Sequence, residues 1–126
     1  MNEAEMNVRS AQVVDAAMRV HSALGPGLLE GAYEGCLAHE LLKRGLAVAT
    51  QISLPLLYDG VRIDLAYRAD LIVDNVVVVE LKTVSKLLAV HEAQLLSYLR
   101  LSGFRLGLLI NFHELHLKNG IRRMIN

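Results

Sequence analysis

Four consecutive valines, Val76 to Val79, run straight into Glu80-Leu81-Lys82. Neighbouring side chains on a strand point to opposite faces, so an unbroken β-branched run suits a sheet covered on both sides. The run predicts an interior strand over Val76 to Lys82, in a layered fold. It also raises a chemical question. Glu80 and Lys82 are two residues apart, so they share one face at the strand's end, while Leu81 points the other way. Charges there need a partner or a use.

The remaining chain predicts the layers. Val8, Ala11, Val14, Ala17 and Met18 recur at helical spacing, giving an amphipathic helix from about residue 5 to Leu24. Gly25-Pro26-Gly27 stops it. A second helix is expected from about Leu28 to Arg44, with Gly45 as its C-terminal cap. Strands are expected over Ala47 to Tyr58, closed by Asp59-Gly60, and over Val61 to Val73, closed by Asp74-Asn75. After the valine strand come a helix over about Leu87 to Ser102 and an interior strand over Phe104 to Asn111. The tail LHLKNGIRRMIN reads as a hairpin around Asn119-Gly120. This order predicts an α/β or α+β fold with a central mixed sheet flanked by helices.

The 126 residues fit one domain, 1–126, and 53% hydrophobic against 21% charged residues supports a core and excludes disorder. No apolar run approaches the roughly 18 residues of a membrane span. The stretch MNEAEMNVRS has acidic residues and no apolar signal core. Cys36 is the one cysteine, with no CxxC or Cys/His pattern beside it, and reads as a small buried helix residue. A reducing cytoplasm is the expected compartment. Zero net charge argues against a protein that simply coats nucleic acid. The charge is uneven, however. Residues 1–80 hold six Lys/Arg and eleven Asp/Glu, and residues 81–126 hold seven and two.

Asp70 lies ten residues before Glu80, on the preceding strand. A three-residue loop of Asp74, Asn75 and Val76 would pair Val73 with Val77 and set Asp70 opposite Glu80. A two-residue loop of Asp74-Asn75 would pair Glu80 with Ala69 and turn Asp70 to the other face. Shared use of the two carboxylates therefore requires an odd loop or a bulge. Two opposed carboxylates repel unless a cation lies between them, and hard oxygen ligands suit Mg²⁺ or Mn²⁺. Such an ion polarises a phosphoryl oxygen and acidifies a water, and an ammonium two residues along can orient that water. This is the logic of a metal-dependent phosphodiesterase; the plain alternative is a surface ion pair. On the third helix Gln94 and Tyr98 are one turn apart, with His91 three before Gln94. In GLLEGAY, Glu30 and Tyr33 are neighbours in the first turn of the second helix, where a carboxylate also gains from the helix dipole.

G-L-L-E-G-A-Y, Gly27 to Tyr33, resembles the motif that names the GxxExxY protein family. YRADLIVDNVVVVELK, HEAQLLSYLRLSG and GLLINF follow in that family's order, so the resemblance spans about residues 20 to 126. It implies the PD-(D/E)XK, restriction-endonuclease-like fold and Mg²⁺- or Mn²⁺-dependent cleavage of nucleic acid, DNA before RNA. Asp70 would be the motif aspartate, and Glu80 and Lys82 the (D/E)-x-K pair. The Leu81 backbone carbonyl would be a further metal ligand and Glu30 a first-helix glutamate joining the metal. Gln94, Tyr98, Tyr33 and His91 would face substrate, with Tyr33 also supporting Glu30. Ala69 stands where the motif has proline. Two other readings share the fold: a catalytically silent module that binds nucleic acid or protein, and a subunit active only in a homo-oligomer or complex.

Overall fold

The computed structural model describes all 126 residues, apart from the side chains of Leu65 and Ala66. Helix α1 spans Glu3–Leu24, and Asn2 caps it by accepting the Glu5 amide at 2.8 Å. Helix α2 spans Glu30–Lys43 and opens on its own acidic residue. Strands β1 (Val48–Tyr58) and β2 (Val61–Val73) form a long ribbon, followed by β3 (Val77–Lys82). Helix α3 (Ala89–Ser102) crosses over to β4 (Leu106–Asn111), and a short 3₁₀ turn (Leu117–Gly120) leads into β5 (Ile121–Ile125).

The five strands lie in the order β1-β2-β3-β4-β5. All neighbours are antiparallel except β3 and β4, which are parallel because α3 carries the chain back between them. This is the expected mixed sheet, and its two central strands are the two apolar runs. Five of the six β3 residues and all six of β4 are buried. One core lies between the sheet and the α1–α2 pair, including Leu71, Val73, Val77, Val79, Leu81, Tyr33 and Phe112. The other lies under α3, including Ala69, Ile72, Val78, Leu95, Tyr98 and Leu99. Among the described residues, no helix is long and apolar enough to cross a membrane.

Three expectations need correction. The tail forms no hairpin of its own: Leu117 to Gly120 is a 3₁₀ turn, and Ile121 to Ile125 pairs with β4. At Gly120 the chain passes so close to the end of β4 that an added Cβ would lie 2.7 Å from the Asn111 carbonyl oxygen. The buried seam of α1 is Met6, Ser10, Val13, Ala16, Ala17, Val20 and His21, leaving Val8 and Met18 exposed. Small residues at 10, 16 and 17 let the helix settle closely, and that outweighs burying two larger apolar groups. Cys36 is exposed on α2, not buried.

The α1–α2 link is locked by one side chain. Tyr33 is fully buried and stacks on Phe112, with ring centroids 4.5 Å apart. Its hydroxyl donates to the Gly25 carbonyl at 2.5 Å and accepts the Leu28 amide at 3.1 Å. Gly25 takes φ +68°, a left-handed conformation that brings the link back over the ring. The expected substrate contact of Tyr33 therefore gives way to a structural one, which does fix the start of α2 and hence Glu30. Tyr33→Phe leaves the Gly25 and Leu28 groups without their partner, and urea unfolding is expected to show a loss of about 1–2 kcal/mol.

Candidate active site

The β2–β3 hairpin decides whether Asp70 and Glu80 meet. Asp74 and Asn75 have φ of +51° and +55°, and the Val76 amide donates to the Val73 carbonyl at 2.9 Å. Asn and Asp tolerate this left-handed pair, so the turn itself uses two residues. Val76 is then the odd residue. It avoids a positive φ, and the register resumes as Val73↔Val77, Ile72↔Val78 and Leu71↔Val79. Asp74 is pinned by Arg9 at 2.9 Å and by accepting the Ala47 amide at 2.7 Å.

One step beyond Leu71↔Val79, side chains replace the backbone ladder. The Asp70 amide donates to Glu80 Oε1 at 3.1 Å, and the Leu81 amide donates to Asp70 Oδ2 at 2.8 Å. Each carboxylate thus takes one backbone N–H from the other strand and keeps one oxygen for something else. The strand faces also change phase here. Tyr67 and Ala69 pack under α3, as does Ile72, while Leu71 packs against the α1–α2 side. Strict alternation cannot place 69 and 72 on one face. The neighbouring strand carries the matching break at Gln51, whose φ is +52°. Thr50 pairs with Leu71 and Ile52 with Ala69, which sets Gln51 across from Asp70.

Glu80 is only 5% exposed. Burial, and then the Asp70 carboxylate, push its pKa up to about 7, although the Asp70 amide, Lys82 and the Tyr67 hydroxyl pull it down. Glu30 is raised too, first by burial and then by Asp70, with Lys82 opposing. Asp70 and Lys82 therefore act on both Glu30 and Glu80 at one end of the sheet. Among the described residues, no three His, Cys, Asp or Glu groups are drawn together as a finished metal cluster.

The α3 residues separate. Tyr98 is 1% exposed, packed against Tyr67 at 5.3 Å between centroids, and its pKa is raised by burial and by Glu80. It backs Glu80 from the core, which corrects the expectation that it touches substrate. His91 Nδ1 accepts the Leu88 amide at 2.9 Å, a helix-start cap made through one ring nitrogen of a partly exposed side chain. Gln94 is exposed and free to reach outward. The Leu81 side chain is fully buried.

The pattern Asp70, then Glu80-Leu81-Lys82 on the next strand, at the splayed end of a mixed sheet, agrees with a match found over residues 7–124. The matching family model is that of the PD-(D/E)XK nuclease superfamily. The chain belongs to the PD-(D/E)XK nuclease superfamily. No curated protein and no solved structure was found to match. Ala69, where the superfamily motif carries proline, is fully buried in the α3 core, a place that suits a small side chain.

Four residues escape sequence reasoning. Gln51 donates through Nε2 to the Glu34 carboxylate and to Asp70 Oδ1, the latter at 3.3 Å. Tyr67 reaches Glu80. Asn111 is fully buried at the end of β4, next to Lys82 in register. Its side chain accepts the Val84 amide at 3.1 Å and donates to the Val84 carbonyl at 2.8 Å, clamping the chain just after Lys82. Only Asn111 leaves a signal, as a polar residue closing the apolar run LGLLIN.

Proposed function

We propose that this chain is a metal-dependent nuclease that hydrolyses phosphodiester bonds of nucleic acid, with DNA ahead of RNA as substrate. The observation that carries this reading is the crossed bonding of Asp70 and Glu80. Two carboxylates are fixed by backbone amides, each with lone pairs left over for a cation, beside a lysine. All donors are hard oxygens, which fits Mg²⁺ or Mn²⁺ and not a thiophilic metal. Asp70 and Glu80 would hold the ion, with Glu30 and the Leu81 carbonyl as added ligands. The ion supplies Lewis-acid polarisation of the phosphoryl oxygen. Lys82 would orient the attacking water and offset charge that develops on the phosphate. Gln94 would contact the substrate strand. The rigid valine strand and the Asn111 clamp keep Lys82 in place while this happens.

The test is incubation with single- and double-stranded DNA and RNA, with Mg²⁺ or Mn²⁺ and with a chelator. Metal-dependent shortening of DNA is expected, and cleavage that persists in chelator would contradict the reading. A silent binding module with the same fold is the second reading. The zero net charge of the chain favours it. Calorimetry separates the two, because a module without the site gives no heat on addition of Mn²⁺.

A further inference from the structure

Gln51 is costly where it stands unless its side chain is used. Its backbone sits in the left-handed region, at φ +52°, in the middle of a strand. Glycine and asparagine enter that region more readily than glutamine does. The residue is exposed, so packing does not explain it. Its side chain instead joins Glu34 on α2 to Asp70 on β2. Both partners are carboxylates, so the nitrogen end of the amide must face them.

We infer that Gln51 is a positioning residue for Asp70, anchored by Glu34. The inference rests on the nuclease reading in one respect: the positioned carboxylate is the one assigned to the cation. Asp70 Oδ2 is held by the Leu81 amide. A carboxylate held at one oxygen still rocks about its last torsion, and a donor on Oδ1 stops that motion. Each carboxylate oxygen carries two lone pairs, so Oδ1 accepts from Gln51 and still has one for a cation. The amide is neutral. A lysine here would neutralise Asp70 and repel the cation, and a glutamate would repel Asp70 itself. Glutamine orients the carboxylate without changing the charge of the site.

Two measurements test this. In the metal-free protein, the Gln51 side-chain NH₂ resonances are expected away from free-amide positions, moving to them in Glu34→Ala. Free-amide positions in the wild type would overturn the proposal. No metal or nucleic acid enters this measurement, so failure of the nuclease reading stays distinguishable from failure here. In the second, Gln51→Gly relieves the backbone and is expected to hold or raise the melting temperature, while Mn²⁺ affinity falls about tenfold. Glu34→Gln keeps an acceptor and should bind Mn²⁺ as the wild type does. Glu34→Ala should match the loss in Gln51→Gly, and the double variant should lose no more than either. A lower melting temperature with unchanged Mn²⁺ affinity would make Gln51 structural, and additive losses would break the relay; either result overturns the proposal.

Discussion

Lys82→Ala is expected to cut nucleic-acid cleavage by about 10²–10³-fold while Mn²⁺ still binds. Lys82 closes β3, paired with Asn111 on β4, and the Asn111 side chain holds the following residues at Val84. The ammonium is therefore presented from a fixed strand end. It lowers the pKa of both Glu80 and Glu30, which places its charge within reach of both carboxylates. Removing it takes positive charge away from the site, so cation binding should hold or tighten while the chemical step slows. Lys82→Arg keeps the charge but spreads it over a planar group, and should recover only part of the rate. Cleavage assays alongside Mn²⁺ calorimetry check this, and full activity in Lys82→Ala would end the assigned mechanism.

Mn²⁺ affinity should rise about tenfold per pH unit up to about pH 7 and flatten above it. The cause is Glu80, whose pKa is pushed up to about 7 by burial and by Asp70. Below that pH a cation must displace the Glu80 proton, so binding releases protons in calorimetry buffers of different ionisation enthalpy. Tyr67 and Asp70 from β2 and Lys82 from β3 are the groups that, with burial, set this titration. Metal-free stability should run the opposite way. Folded Glu80 keeps a proton that the unfolded chain has lost between pH 4.5 and about 7. Stability then falls as pH rises through that window, by on the order of 3 kcal/mol, and levels off above it. Glu80→Gln should remove both dependences, and a flat Mn²⁺ affinity between pH 5.5 and 7 in the wild type would count against the site.

Much of this was legible where the signal is local. The apolar runs of β3 and β4 announce interior strands, and β2 begins and ends at the residues its turn pairs imply. Asp70, Glu80 and Lys82 stand out as charges beside those runs. The facing of Asp70 and Glu80 was legible only as a condition, because one residue in the loop reverses a whole strand face. Val76 meets that condition by dropping out of the pairing while Asp74 and Asn75 make the turn. The α1 seam is not legible in the sequence because apolar residues surround that helix, and the choice among them belongs to packing against α2. The tail misleads because LHLK alternates like a strand, whereas Leu117 is drawn into the main core. Gln51 was invisible, since a left-handed residue inside a strand is imposed by its neighbours and leaves no mark in its own identity.

The pairing of Asp70 with Glu80 around one cation is the central claim, and a crystal structure of the protein soaked with Mn²⁺ at pH 8 tests it most directly. The expected result is an anomalous peak bonded by Asp70 Oδ1 and a Glu80 carboxylate oxygen at about 2.1 Å. A peak elsewhere on the surface, or none while the two carboxylates keep their crossed amide bonds, would contradict it.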